Sequence, residues 1–182
     1  KTITRIIQTS GLLKKKHFSV YSRFFSRAIW RIEEFNRHLA ILVVGIICPG
    51  ENTIYKVGDD TVYPKSGRKV YGAGMFRDAV LSKAKEVTRW GLNFVTFGIT
   101  TKVQSDAPYL CLPVLTELHQ KGKNTPAELM AKDLKIFAGW FPERKIKHVG
   151  DGYYSNEAVI CQLPKNVEFT GRVRRDAALY EI

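Results

Sequence analysis

The chain has 182 residues, enough for one sizeable domain or for a core with a helical leader. Apolar residues make up 45% of it, while 29 Lys and Arg against 17 Asp and Glu give a formal charge of +12. That excess favours an anionic partner, nucleic acid first and a membrane surface second. The most apolar run, Leu39 to Cys48, is too short to span a bilayer, and the start lacks the apolar region of a signal peptide. Cys48, Cys111 and Cys161 lie far apart, without zinc-ligand spacing or a disulfide framework. Each is expected to be a small buried residue in a reducing, intracellular setting. The first residue is Lys1 rather than Met, which reads as a fragment.

Residues 1–17 are basic, with Lys14, Lys15 and Lys16 in a row. From about Val20 to Ile46 a helix is expected, because Phe24, Phe25, Ala28, Ile32, Phe35 and Leu39 recur at a 3.6-residue period. Arg23, Arg27 and Arg31 line a neighbouring face, and read equally as a solvated charge stripe or as phosphate contacts. Pro49-Gly50 ends this unit, so the expected division is a basic helical leader over 1–49 and a core over 50–182.

A strand is expected at about Thr53 to Asp60, then a Pro64 to Gly67 turn and a second strand at about Arg68 to Gly72. Asp78 to Gly91 gives no clear pattern. A third strand follows over Leu92 to Thr100, and Tyr109 to Leu118 reads as a broken or edge strand because of Pro113. Thr125, Pro126 and Glu128 form a capping box, and Met130, Leu134 and Phe137 supply the buried face of the helix it starts. Then come a short strand into Asp151, a short helix over about Ser155 to Leu163 stopped by Pro164, and a last strand over about Val167 to Arg174. The sum is an α/β fold with a mixed sheet, flanking helices and a helical leader.

Two adjacent acids, Asp59 and Asp60, end the first predicted strand of a strongly basic chain, and Asp151 ends the fourth. Open α/β sheets place their sites at strand ends. Phosphodiester chemistry often uses two divalent ions about 3.5–4 Å apart, held by carboxylates on rigid neighbouring strands. Asp60 and Asp151 suit that role if their strands are neighbours, while Asp151-Gly152 reads equally as a hairpin turn.

The stretches VGDDTVYPKSGRKVYGAG, HVGDGYYSN and FTGRVRRDAALY together resemble the DDE transposases of bacterial insertion sequences, the DDE-superfamily endonuclease group. HFSVYSRFFSRAIW and LCLPVL are similar to stretches of the same group, so the likeness covers roughly residues 17–180. The resemblance implies an RNase H-like core with its first catalytic Asp before a Thr and its second in an Asp-x-x-Tyr setting. On that basis Asp60 is the first ligand of Mg²⁺ (or Mn²⁺), with Asp59 an open alternative, and Asp151 is the second. The family's third acid sits on a later helix; the sequence ends at Ile182, and Glu181 comes too early to fill that place. Asp133 and Asp176 read as surface charges.

The implied activity is metal-dependent cleavage at transposon ends followed by strand transfer, with DNA as partner, possible pairing as a homodimer on DNA, and no membrane role. The implied location is the bacterial cytoplasm, at the nucleoid. Lys65, Arg68, Lys69, Arg172, Arg174 and Arg175 are the candidate DNA contacts, against a plain reading as surface charge. Trp90, Trp140, Tyr153 and Tyr154 read as core or rim aromatics. The alternatives are an RNase H-like nuclease without strand transfer, and a DNA-binding remnant that does not cut. With two of three acids in hand, residues 1–182 alone are expected not to cut efficiently.

Overall fold

The computed structural model describes residues 3–67, 69–78, 81–82, 85–102, 106 and 108–173. The chain forms two compact units, Lys1–Phe35 and Asn36–Ile182, divided within one helix.

The first unit holds helix α1 (Ile3–Thr9), a 3-10 turn over Leu12–Lys14, helix α2 (Phe18–Arg27) and the start of α3 (Ile32–Ile47). The single helix expected over Val20 to Ile46 is thus broken, with Ala28 extended at ψ 139°. The cause is visible in the aromatics. Phe24 and Trp30 meet edge to face at 4.3 Å between centroids, and Trp30 meets Phe35 at 6.1 Å. Residues six apart point to different sides of a continuous helix, so the Phe24–Trp30 contact requires the break. The arginine stripe is interrupted as well: Arg31 lies in the break and pairs with Glu34 at 2.9 Å.

The second unit is a mixed sheet of β1 (Thr53–Pro64), β2 (Gly74–Arg77), β3 (Thr88–Lys102), β4 (Tyr109–His119), β5 (Lys145–Val149) and β6 (Val167–Thr170). The order is β2-β3-β1-β5-β6, and β4 also pairs with β3. β1 is antiparallel to β3 and parallel to β5, and β5 is parallel to β6. Helix α4 (Pro126–Trp140) precedes β5 and the short α5 (Glu157–Ile160) precedes β6. This is the RNase H-like mixed sheet with flanking helices that the sequence suggested.

Several boundaries move. The second strand lies at Gly74–Arg77 rather than Arg68–Gly72, because the Trp90 indole N–H donates to the Gly67 carbonyl at 3.0 Å and holds the preceding segment as a turn. The Tyr109 run is a full edge strand: its ladder with β3 skips Val114, and this bulge beside Pro113 accommodates the missing N–H. β6 stops at Thr170, which leaves Arg172 beyond it. Cys48 is buried as expected, but Cys111 and Cys161 are exposed, one on the edge strand and the other after α5. Arg68, Arg174, Arg175, Asp176 and Glu181 lie outside the described residues.

The core joins Ala40, Val43 and Val44 of α3 to Ile54, Val95, Phe97, Ile146 and Val167 of the sheet and to Met130, Leu134 and Phe137 of α4. The α4 capping box forms as expected, Thr125 Oγ1 accepting from the Glu128 N–H at 3.2 Å while a Glu128 oxygen accepts from the Thr125 N–H at 2.7 Å. α4 comes down on β1 at Gly58, where a Cβ would stand 2.7 Å from the Met130 methyl.

Asp133 overturns its reading as a surface charge. It is fully buried on α4 and pairs with the equally buried Lys56 of β1 at 3.3 Å. The Lys56 ammonium also lies 4.1 Å from the Phe97 ring centroid. Burial pushes Lys56 down and Asp133 up to about 6, while their mutual attraction opposes both shifts. His148 of β5, opposite Lys56 in the parallel ladder, is buried with neither ring nitrogen hydrogen-bonded among the described residues. Burial, aided by the Lys56 charge, pushes its imidazole down to about 2. It is therefore neutral in the folded protein.

Asp133→Ala leaves Lys56 buried and unpaired, and is expected to cost about 3–5 kcal/mol in urea unfolding, against about 1 kcal/mol for Thr125→Ala at the helix cap. The unfolded chain protonates His148 below its ordinary 6.5 and the folded chain does not until about 2, so this stability is present above pH 6.5 and drains as pH falls. Asp133, raised in the fold, works the other way, so the test is a difference. The stability gap between wild type and His148→Gln should shrink by about 1.4 kcal/mol per pH unit below pH 6.5. A gap constant with pH would show that His148 charges in the folded state.

Candidate functional site

Asp59 and Asp60 do not end β1, which runs on to Pro64 against β3. What ends near them is the parallel ladder with β5, whose last pair is Val57 with Val149. Beyond that pair one edge of β1 is open, and Asp151 follows β5 at the same level. Asp59, Asp60 and Asp151 line one open cleft of about 540 Å³ with Arg77, Asp78, Leu81 and Arg89. The hairpin reading of Asp151-Gly152 does not hold, since β5 leads through this turn into α5. There Asp151 Oδ1 accepts from the Tyr153 N–H at 2.8 Å, and the Asp151 carbonyl accepts from the Tyr154 N–H at 3.2 Å.

Strand alternation separates the paired acids. Asp60 shares the face of Lys56 and Gly58 and is half-buried; Asp59 is exposed on the other. The Tyr154 hydroxyl donates to Asp60 Oδ1 at 2.9 Å, and the Asn93 amide donates to Oδ2 at 3.0 Å. The same Asn93 nitrogen lies 3.2 Å from His119 Nδ1. An amide nitrogen only donates, so His119 Nδ1 accepts and is unprotonated. Burial pushes His119 down, against the pull of the Asp60 charge.

Asp59 Oδ1 accepts from the Asp60 N–H at 2.8 Å. Although its surface is exposed, the Asp59 carboxyl sits within the cleft, and this partial desolvation, then the Asp60 and Asp151 charges, push it up against that hydrogen bond. Tyr153 and Tyr154 are raised by burial and by the charges of Asp60 and Asp151. The three carboxylates therefore share one electrostatic environment.

Hard oxygen donors suit Mg²⁺ or Mn²⁺ in kind. In number they fall short: among the described residues no group of three or more acidic, His or Cys side chains is placed to hold an ion. Of the proposed DNA contacts, Lys65 and Lys69 are exposed between β1 and β2, and exposed Arg172 packs on the Asp151 turn, its carbonyl 3.3 Å from where a Gly152 Cβ would be. Tyr154 is the residue whose role sequence reasoning missed. The Asp-x-x-Tyr spacing held the signal, although the ring read as plain core. Asn93 carried no signal beyond a polar residue inside an apolar strand. No helix among the described residues is long and apolar enough to cross a membrane.

A mixed sheet with flanking helices, and carboxylates where β1 and β5 part, defines an α/β fold with a polar cleft at its strand ends. The family model described as DDE superfamily endonuclease matches residues 1–182, and the chain belongs to that family. No curated protein matches the chain. Among solved structures, a piggyBac transposase in a synaptic complex with hairpin DNA, determined by cryo-electron microscopy, is similar at 9% identity and a TM-score of 0.41. The match covers 68% of this chain and 23% of that one.

Replacing Asp151 by Asn removes one of the charges that raise Asp59. In an NMR titration Asp151→Asn should move the Asp59 carboxyl downward, with the burial contribution left in place. An unchanged Asp59 titration would show that the two carboxylates do not sense each other.

Proposed function

We propose that the chain belongs to a DNA transposase catalytic core, with Asp60 and Asp151 as metal-holding carboxylates. The observation that carries this reading is the treatment of Asp60. Both of its oxygens accept a hydrogen bond from a neutral donor, Tyr154 on one side and Asn93 on the other. Carboxylates that ligate metals are oriented in this way by outer-shell partners. Among the described residues Asp59 accepts its hydrogen bond from the next backbone N–H and not from a side chain. It is the electrostatic neighbour rather than the ligand.

Mg²⁺ or Mn²⁺ bound there would stabilise charge on the attacking and leaving oxygens of a phosphodiester. The chain's own part is positional. Tyr154 and Asn93 fix Asp60, the Asx turn fixes Asp151, and β1 and β5 hold the two at the open edge. Arg172, beside the Asp151 turn, would meet a phosphate, with Lys65 and Lys69 as more distant contacts. Strand transfer by the freed 3′-hydroxyl, dimerisation on DNA and a nucleoid location belong to the same reading. Among the described residues only Asp60 and Asp151 are assigned as ligands, and these two alone are expected to give weak ion binding and little turnover.

Metal-dependent nicking of transposon-end DNA by the full reading frame tests this assignment. Asp60→Asn and Asp151→Asn should abolish nicking, and Asp59→Asn should retain it. Tyr154→Phe, which keeps the ring and removes the hydroxyl, should raise the Mn²⁺ concentration for half-maximal nicking about 10–100-fold. Full activity in Asp60→Asn would transfer the role to Asp59 or end the reading.

A further inference from the structure

The cleft has a second wall that the proposed chemistry does not use. Arg77 ends β2, and Arg89 lies near the start of β3; both line the cleft that holds Asp59, Asp60 and Asp151. On β2 the alternation buries Phe76 and exposes Arg77. Arg89 is paired with Phe76 in the ladder, so it leaves the face opposite Arg77, and the two reach the cleft from the two sides of the strand ends; Arg89 Nε meets Asp78 Oδ2 at 3.0 Å. That pair uses one of five guanidinium donors, and the Arg89 side chain remains 43% exposed.

This wall is tied to the acidic one by continuous contacts. Asp60 is bonded to Asn93, Asn93 to His119, and the His119 ring lies 5.2 Å from Phe76, the neighbour of Arg77. Just beyond β2, the Asp78 N–H donates to the Val87 carbonyl at 2.8 Å, and the Ser82 hydroxyl to the same carbonyl at 3.1 Å. The arginines thus stand on braced strands rather than on a free loop.

We propose that Arg77 and Arg89 bind a backbone phosphate of the DNA strand that lies across the cleft, next to the phosphate presented to Asp60. The inference rests on the reading of the cleft as a phosphodiester site. A cleft lined by four carboxylates, Asp59, Asp60, Asp78 and Asp151, repels a polyanion; Arg89 already offsets Asp78, and the Arg77 guanidinium with the remaining Arg89 donors supplies the attraction that holds the strand. The phosphate contact is independent of sequence, so it sets register and not base preference.

The test is fluorescence anisotropy of a labelled duplex with the full chain in EDTA, over a salt series. Each phosphate contact contributes about 0.9 to the slope of log affinity against log salt. Arg77→Ala should weaken binding and lower that slope by about one contact, and Arg77→Lys should restore most of the slope. Asp59→Asn should strengthen binding by removing repulsion. Lys165→Ala, exposed and outside the cleft, should leave the slope alone. Wild-type affinity and slope in both Arg77→Ala and Arg89→Ala, or no duplex binding at all, would overturn the proposal. Asp60→Asn separates the two ideas. Loss of the Arg77 effect with Asp60-dependent nicking intact sinks only the phosphate wall. An intact Arg77 effect with Asp60-independent nicking sinks only the metal assignment.

Discussion

The site depends on where two ladders of one strand end. β1 pairs with β3 through Pro64, but its pairing with β5 ends at Val57. A strand flanked on both edges has no room beside its backbone. Once β5 turns away, the edge of β1 is vacant from Gly58 onward, and the turn after β5 brings Asp151 into that vacancy. The acids are on rigid backbone because β3 continues to hold β1. They are accessible because β5 does not. A clamp for an extended anion needs both conditions, since mobile carboxylates would have to be ordered at each binding event.

Beneath the site the sheet is braced by a polar contact instead of by apolar packing alone. Lys56 lies four residues before Asp60 on the same face, and reaches Asp133 on α4 in a fully buried pair. Such a pair adds little net stability relative to an apolar replacement, but strongly penalises any register that separates its members. A slip of β1 by one residue would turn Lys56 to the other face and leave Asp133 buried alone. It would also turn Asp60 away from Tyr154 and Asn93. The ion pair and the site therefore favour the same register.

Much of this was legible in the sequence. The capping box, the Met130–Phe137 stripe and the β1, β3 and β5 segments follow from local chemistry and period, which tertiary context did not override. What was not legible came from contacts between distant residues. The helix over Val20 to Ile46 had the right period but gave no hint that Trp30 would fold back on Phe24. Asp133 looked like surface charge because a single acid on a helix usually is, and its partner lies 77 positions away. The β1 alternation Ile54, Lys56, Gly58, Asp60 did place a lysine on the buried face, so the need for a buried counter-ion was present without its identity. The candidate acids were found by type and neighbourhood. Their support by Tyr154 and Asn93 was not, because it joins residues 94 and 33 positions apart.

The choice of donors around Asp60 is itself informative. Among the described residues the bonds to this carboxylate come from a tyrosine and an asparagine and not from an arginine or lysine, in a chain with 29 basic residues. A cationic partner would orient the group and also neutralise it. The tyrosine hydroxyl and the asparagine amide orient it without cancelling its charge. Each carboxylate oxygen has two lone-pair sites, so one bond to each leaves capacity on both. The nearest residues thus preserve the negative charge and fix its direction, while Arg77 and the Arg89–Asp78 pair line the same cleft. An isolated acidic patch would repel a phosphodiester, and a neutralised one would have no charge left to hold a cation. A cleft that holds both signs of charge would keep both attractions available in one space, as the proposed phosphodiester site requires.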